Sequence, residues 1–251
     1  MVRKATHTTG RWWTLPWLRF DRLDRREATW LLIGLGLCVL LFAFVSLAGE
    51  VTEGDTQAFD TKILRALRDP ADPARPIGPS WIEGPLLDLT AIGGPTVLGL
   101  VVVSVAGFLV LQTRYRTAVV VAITSIGGEA LNTVMKHFFN RPRPTIVPHL
   151  RVVYSTSFPS GHAMESAIVY LTLAAILMRA SDNRLTKMYI LAIAVLLTAL
   201  VGISRVYLGV HYPTDVIGGW IVGFMWASIS WLAARRFEGT AHIEAEKSRT
   251  A

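Results

Sequence analysis

The chain has little of what a soluble, disulfide-stabilised or zinc-binding protein needs. It has a single cysteine, Cys38, which excludes an intrachain disulfide and a zinc site built from cysteines. Charged residues make up only 17% of the 251 residues, whereas soluble domains carry about 25%. Apolar residues reach 52%. This composition excludes a disordered chain and predicts an integral membrane protein.

The net charge of +7 is high enough to suggest nucleic-acid binding. However, the basic residues lie in short segments between apolar runs, which is typical of the loops of membrane proteins. We therefore expect the lipid bilayer as a partner and no nucleic acid.

Six apolar runs are long enough to cross a bilayer, which takes about 20 residues per helix. The first is not typical of a cleaved signal peptide, because it is too long and lacks a small-residue cleavage site. The sequence therefore predicts an all-α bundle of six transmembrane helices, over residues 28–49, 89–113, 117–139, 162–178, 188–204 and 216–234.

The distribution of lysine and arginine predicts the orientation of these helices. Sixteen of the 25 lie on the side that holds both termini, and eight lie on the other side. We therefore expect both termini in the cytoplasm and a multi-pass protein of the inner (plasma) membrane. The domain prediction is a basic, aromatic N-terminal segment (1–27), a membrane domain (28–236) and a mobile, polar cytoplasmic tail (237–251).

Two segments outside the predicted spans have their own patterns. The N-terminal segment mixes tryptophan with arginine, which fits either an interfacial anchor or a flexible basic tail. In the first outer loop, apolar residues recur at helical spacing, which predicts a short amphipathic helix lying on the outer leaflet. These apolar residues are Ala58, Phe59, Ile63, Ala66 and Leu67.

Polar blocks stand at the ends of four predicted helices. Helices 3 and 5 leave the membrane on the face where helices 4 and 6 enter it, so parity brings the blocks together. Titratable groups at membrane depth are costly and therefore suggest function. The blocks are Lys136 with Asn140-Arg141-Pro142-Arg143-Pro144, then Pro159-Ser160-Gly161-His162, then Ser204-Arg205 followed by His211 and Asp215.

The chemistry of these residues points to phosphate. Lys136, Arg143 and Arg205 supply three cations, which suit a dianion. Ser160 and Gly161 open a helix, where backbone N–H groups and the helix dipole favour an anion. No cluster of carboxylates accompanies the cations, so we expect neither a metal nor another cofactor.

Two histidines and one carboxylate complete a catalytic set. Pro213 fits the first position of helix 6, which puts His211 just before the helix and Asp215 in its first turn. Asp215 can then orient His211 as the nucleophile, and His162 is left to protonate the leaving oxygen. Three other residues, His137, His149 and Arg141, are interpreted as structural residues or lipid anchors.

The three blocks resemble the type-2 phosphatidic acid phosphatase superfamily. The matching pattern is Lys136 to Arg143-Pro144, the tetrapeptide beginning at Pro159, and Ser204-Arg205 to His211 and Asp215. The resemblance implies that His211 forms a phosphohistidine, that Asp215 supports it and that His162 protonates the leaving group. It also implies phosphate binding by Lys136, Arg143, Ser160, Gly161 and Arg205. Soluble vanadate haloperoxidases share the motifs, but six apolar spans argue against that branch.

The resemblance implies a membrane lipid phosphatase, and the distribution of basic residues predicts that its site lies on the outer face. Undecaprenyl diphosphate is the first substrate candidate, and the alternatives are phosphatidate, phosphatidylglycerophosphate and lipid A phosphates. A non-catalytic binder or transporter of lipid phosphates is the alternative from another class. The presence of His162, His211 and Asp215 argues against it, because binding needs only the cations.

Helix 3 also carries a polar stripe that the family motifs do not include. Ser125, Glu129, Asn132 and Lys136 follow one face of a helix with 3.6 residues per turn. Such a stripe avoids lipid and should face the bundle interior. We hypothesise that Glu129 and Asn132 orient Lys136 or a buried hydrogen-bond network. The alternative is that Glu129 only bonds a neighbouring helix.

Overall fold

The computed structural model describes residues 24–153 and 155–250. Over these residues the regular structure is helical, apart from one isolated bridge between Arg68 and Pro76. The all-α prediction is therefore confirmed. The helices are α1 (Arg25–Glu53), α2 (Gln57–Ala66), α3 (Glu83–Ala91), α4 (Pro95–Leu111), α5 (Tyr115–Phe139), α6 (Gly161–Arg179), α7 (Arg184–Tyr207) and α8 (Pro213–Thr250), with a short 3-10 turn at Ser80–Ile82.

The chain divides into two compact units, residues 1–39 and residues 40–251. The described part of the first unit is the beginning of α1, and every contact discussed below lies in the second unit. Helix α1 begins within the predicted N-terminal segment 1–27, whose residues 1–23 lie outside the described residues. Helix α8 continues beyond residue 236, so the backbone of the tail is helical up to Thr250. The mobility of the tail stays a prediction.

Over the described residues, five helices are individually long and apolar enough to cross a membrane: α1, α5, α6, α7 and the part of α8 that ends at Arg235. The number reaches the predicted six when a bent pair of helices, Ser80–Ile92 and Pro95–Leu111, is counted as one span. The two members of this pair meet at an angle of 47°. The prediction of one unbroken helix over residues 89–113 was therefore wrong.

The break in this span has a local cause. Gly94 is extended, with φ −80° and ψ 151°, and Pro95 opens α4 because its ring fits the first helical position. Gly93 packs so tightly on α7 that a Cβ there would lie 2.2 Å from Cγ1 of Val201. The Tyr170 hydroxyl donates to the carbonyl oxygen of Ile92 over 2.8 Å, which satisfies an acceptor freed by the break. A hydropathy pattern contains none of this geometry.

Helix α2 is the predicted helix of the first outer loop. Asp60 and Leu64 are fully buried, whereas Ala58, Phe59 and Ala66 are exposed. Leu64 packs in a core with residues of α6, α7 and α8, namely Ala163, Val206, Tyr212 and Val216, and Ile63 and Leu67 pack against it. The position of α2 on the outer leaflet stays a prediction.

Helices α6 and α8 approach each other closely and thereby bring two of the polar blocks together. A Cβ on Gly219 would lie 2.6 Å from the carbonyl oxygen of Ser160, so a larger residue would push the helices apart. The amide N–H of Ser160 donates to the carbonyl oxygen of Asp215 over 2.9 Å. The first turns of α6 and α8 are therefore neighbours.

Candidate active site

The three polar blocks line one cavity of about 700 Å³. It lies between the end of α5, the following loop, the start of α6, the end of α7 and the segment that leads into α8. Ser160 and Asp215 are fully buried next to the lining residues Gly161 and His211. The structure thus brings the polar blocks together, as the parity of the helices predicted. The predicted site residues that line the cavity are Glu129, Asn132, Lys136, Arg143, Gly161, His162, Arg205 and His211.

Asp215 is held in place by the start of α8. It is the third helical residue, and its Oδ2 accepts from the backbone N–H of Tyr212 over 2.8 Å, which is a capping interaction. The Ser157 hydroxyl donates to the same carboxylate oxygen. This oxygen lies 3.4 Å from Nδ1 of His211. The carboxylate therefore faces the ring nitrogen that the sequence analysis assigned to it.

The lone pair of His211 lies on its other ring nitrogen, Nε2, and accepts a hydrogen bond from Arg143. Nη1 of Arg143 lies 3.1 Å from Nε2. A guanidinium group only donates, so Nε2 must be the acceptor and the ring proton must be on Nδ1. This tautomer is the one that a nucleophilic Nε2 requires.

The charges around His211 keep its ring neutral. Burial lowers the pKa of His211 well below its ordinary value of 6.5, and the cations Arg205, Arg143 and Lys136 lower it further. Burial also lowers the pKa of Arg143 to about 10, against the opposing effect of Asp215. At neutral pH the imidazole ring of His211 is therefore neutral, and the guanidinium group of Arg143 beside it is positively charged.

Two of the cations are positioned by backbone carbonyl groups of the loop between α5 and α6. Nζ of Lys136 donates to the carbonyl oxygen of Thr156 over 2.8 Å. Nε of Arg143 donates to the carbonyl oxygen of Ser155 over 2.6 Å. Neutral acceptors orient these cations without cancelling their charge, so the cations remain available to an anion in the cavity.

The bend between α3 and α4 lies beside the site. Arg205 is 1% exposed, and its Nη1 donates to the hydroxyl of Thr90 on α3 over 2.9 Å. Nε2 of His162 would lie 3.6 Å from a Cβ on Gly94. Within the described part of the chain, Nε of Arg205 and Nε2 of His162 are buried without a hydrogen-bond partner. Both nitrogens are therefore available to a ligand.

The start of α6 offers less to an anion than the sequence predicted. The amide N–H of Ser160 is already bonded to Asp215, so it is not free as expected. The Ser160 hydroxyl, by contrast, has no partner among the described residues. The N–H groups of the first turn, beginning with Gly161, have no acceptor within their own helix. The groups at the start of α6 that remain for an anion are therefore this hydroxyl and the amides that follow it.

Arg141 is not the lipid anchor that the sequence analysis took it for. It is only 9% exposed, and it donates to Asp215 Oδ1 over 2.5 Å and to Asp60 Oδ2 over 2.8 Å. Burial by itself would lower the pKa of Arg141, but Asp215 and Asp60 raise it above its ordinary value. Asp60 also accepts from the Thr214 hydroxyl over 2.6 Å. Arg141 was missed because its partners lie far away in the sequence.

Glu129 and Asn132 do line the cavity, but their contacts are with α6. Asn132 Nδ2 donates to Oε1 of Glu165 over 2.8 Å, and the carboxyl groups of Glu165 and Glu129 interact. Lys136 instead bonds Thr156. These contacts agree with a buried network and equally with the alternative in which Glu129 only bonds a neighbouring helix. Glu165 is the member that the sequence analysis did not single out.

The two remaining histidines bond only backbone atoms in the described contacts. Nδ1 of His137 lies 2.8 Å from the carbonyl oxygen of Thr133, one turn earlier in α5. Nε2 of His149 lies 2.6 Å from the carbonyl oxygen of Pro144. The contact of His149 agrees with its interpretation as a structural residue, whereas His137 also lines the cavity.

A neutral histidine, oriented by a carboxylate and surrounded by three cations, is suited to phosphoryl transfer. Here it lies within a bundle of membrane-spanning helices. Fold and site together define the class of a multi-span membrane phosphatase. The chain belongs to the PAP2 superfamily, whose family model matches residues 115–238.

Similar proteins agree with this assignment. Phosphatidylglycerophosphatase B of Bacillus subtilis is 32% identical over 192 residues, which cover 74% of this chain and 88% of the relative. An undecaprenyl-diphosphatase of Sulfolobus acidocaldarius is 38% identical over 103 residues, 40% of this chain and 45% of the relative. The crystal structure of a transmembrane PAP2 type phosphatidylglycerolphosphate phosphatase from Bacillus subtilis matches with a TM-score of 0.71 and 29% identity, over 81% of this chain and 96% of that one. The chain is a phosphoric ester hydrolase.

Proposed function

We propose that this protein removes the terminal phosphate of a membrane lipid through a phosphohistidine formed on His211. The observation that carries the proposal is the Nε2 lone pair of His211. It belongs to a neutral ring at the wall of a cavity, and a guanidinium group lies 3.1 Å away. A phosphate drawn in by the cations would meet this lone pair.

The reaction has two steps. In the first, Nε2 attacks phosphorus, so an N–P bond forms while the P–O bond to the lipid breaks. His162 donates a proton to the departing oxygen. In the second, His162 accepts a proton from water, the water oxygen attacks phosphorus, the N–P bond breaks and inorganic phosphate leaves. Asp215 stabilises the imidazole proton on Nδ1 in both steps.

The cations stabilise the charge on the transferring phosphoryl group. Lys136, Arg143 and Arg205 surround the cavity, and the Ser160 hydroxyl and the Gly161 amide add neutral donors. Arg143 exchanges its contact with Nε2 for one with a phosphate oxygen when the substrate binds. The scheme has no step that needs a metal or another cofactor, and we expect full turnover in EDTA.

Phosphatidylglycerophosphate is the first substrate candidate. The name of phosphatidylglycerophosphatase B refers to this lipid, and 88% of that relative's length is covered by the match to this chain. Undecaprenyl diphosphate, which the sequence analysis put first, is the second candidate. The undecaprenyl-diphosphatase from Sulfolobus acidocaldarius supports it over a shorter part of the chain.

We further propose that the site faces the outer side of the inner membrane and that both termini are cytoplasmic. The support is the sixteen-to-eight distribution of basic residues and the parity of six spans. In this orientation the phosphate of an outer-leaflet lipid reaches the cavity while its acyl or prenyl chains stay in the bilayer.

Phosphate release from a lipid panel tests the proposed function. Purified protein in detergent is given phosphatidylglycerophosphate, phosphatidate, undecaprenyl diphosphate and a lipid A phosphate. We expect release from at least one lipid, loss of that release in His211→Ala, and retention of it in the matched control His149→Ala. No release from any lipid, or equal release by His211→Ala, would refute the proposal.

A further inference from the structure

A polar cluster lies in the cavity below the phosphate-binding residues. Glu129 and Asn132 on α5 and Glu165 on α6 line the same cavity as His211. Glu129 precedes Lys136 by seven residues, which is about 10 Å along a helix that rises 1.5 Å per residue. The cluster is thus on the membrane side of the phosphate-binding residues. Under the proposed function, a lipid whose terminal phosphate lies at His211 would extend in this direction.

The cluster has hydrogen-bonding capacity that the described residues do not use. Asn132 Nδ2 donates to Oε1 of Glu165, and the carboxyl groups of Glu165 and Glu129 interact. Asn132 is only 4% exposed, yet its Oδ1 has no hydrogen-bond partner within the described part of the chain. A buried acceptor of this kind costs free energy unless a ligand or water meets it. The reaction as derived above makes no use of it.

The chemistry of the cluster selects its ligand. Two carboxyl groups and an amide oxygen are rich in acceptors, and among the substrate candidates the head-group donor is a hydroxyl. In a diphosphate, the group next to the scissile phosphate is a second phosphate, which offers acceptors and which a carboxylate repels. In phosphatidylglycerophosphate that position holds the glycerol hydroxyl, and the diester phosphate lies beyond it. The nearest cation of the site, Lys136, is oriented by Thr156 rather than by the cluster.

We propose that Glu129, Asn132 and Glu165 bind a hydroxyl group on the leaving-group side of the scissile phosphate. This inference rests on the proposed function, because it takes the terminal phosphate to lie at His211. It defines the substrate class as phosphomonoesters of hydroxylated lipid head groups. The free hydroxyl of the head-group glycerol in phosphatidylglycerophosphate fits, and a prenyl diphosphate does not.

Three short-chain substrates test this class on the purified full chain in detergent. They are dioctanoyl phosphatidylglycerophosphate, the same lipid without the free hydroxyl of its head-group glycerol, and farnesyl diphosphate. A site built to bond a hydroxyl discriminates strongly against the analogue that lacks it. For the wild type we expect kcat/KM to be at least ~10-fold higher on the hydroxylated lipid than on either other substrate.

Two variants connect this preference to the cluster. Asn132→Leu keeps the approximate volume and removes Oδ1, and Glu129→Gln keeps the shape and removes one possible charge. In both variants we expect kcat/KM to fall ~10-fold on the hydroxylated lipid. On the lipid that lacks the head-group hydroxyl, kcat/KM should stay within about twofold of the wild-type value. Thr133→Val alters another residue of the cavity wall and should keep the wild-type ratio.

The outcomes separate this inference from the proposed function. No wild-type preference for the hydroxyl, or an equal loss on all three substrates in the variants, would overturn the hydroxyl subsite. Diphosphate hydrolysis that needs Mg²⁺ and is lost in Glu129→Gln would also overturn it, because the cluster would then hold a cation. Turnover that His211→Ala leaves intact would instead refute the proposed function.

Discussion

Arg141 joins Asp215 to Asp60 by two charge-assisted hydrogen bonds, at 2.5 and 2.8 Å. Asp60 belongs to α2, a short helix outside the membrane-spanning segments, and Asp215 faces Nδ1 of His211 at 3.4 Å. A chain of contacts thus runs from the first loop to the proposed nucleophile. Asp60 and Arg141 are therefore expected to influence the reaction as positioning residues.

Arg141→Lys should lower kcat without a large change in KM. Lysine carries a point charge and cannot bridge two carboxylates as the guanidinium fork does. The Asp215 carboxylate would then lose its fixed position, and we expect a ~10- to 100-fold loss in kcat. Steady-state kinetics checks this, with Arg75→Lys as the matched control on the exposed part of the same loop as α2. A rise in KM alone would show that Arg141 binds substrate instead.

His162→Ala should harm poor leaving groups more than good ones. An alkoxide needs the proton that His162 donates, whereas a nitrophenolate leaves without it. We expect a loss of ~100-fold or more on an alkyl phosphate and a clearly smaller loss on p-nitrophenyl phosphate. The two rates are measured in the same detergent, with His149→Ala as control. Equal losses on both substrates would assign His162 to binding rather than to proton transfer.

The acid side of the pH profile should report the environment of His211. The pKa of His211 is lowered well below 6.5, so its Nε2 stays unprotonated as the pH falls through 6.5. Protonation of His211 should therefore cause no loss of kcat/KM in this range. Arg143→Gln removes a neighbouring cation, which raises the pKa of His211 and moves the acid limb to higher pH. Profiles from pH 4 to 9 check this, and an Arg143→Gln limb at the wild-type position would contradict it.

The orientation of the chain in the membrane can be tested by labelling single cysteines. Because Cys38 is the single cysteine, Cys38→Ser provides a background for Thr240→Cys and Ala74→Cys. A membrane-impermeant thiol reagent should label position 74 in intact cells and should reach position 240 only after permeabilisation. The reverse pattern would invert the topology and place the site on the cytoplasmic face.

The sequence was sufficient to predict the convergence of the polar blocks, because helix ends of the same parity must share a membrane face. It was not sufficient for the bend at Gly93 and Gly94, because hydropathy records how apolar a segment is and not its direction. That bend brings Thr90 to Arg205 at 2.9 Å. Contacts of this kind depend on packing between helices that are distant in the chain.

The error over Arg141 has a similar origin. An arginine beside a helix end is usually a lipid or topology anchor, and its own neighbours in the sequence give no other sign. Its partners Asp60 and Asp215 are 81 and 74 residues away. Asp60 lies between the apolar residues of α2 in the sequence, and no pattern there points to a partner. Only the three-dimensional structure shows that Arg141 and Asp60 satisfy each other.

The phosphohistidine itself provides the most direct test of the account. Enzyme is mixed with phosphatidylglycerophosphate that carries a radiolabelled terminal phosphate, quenched in alkali to preserve the N–P bond, and mapped by peptide. We predict label on the peptide that contains His211, and for His211→Ala no label and a rate lower by ~10⁴-fold or more. Turnover without a labelled peptide in the wild type, label on a different residue, or near wild-type phosphate release by His211→Ala would contradict the account.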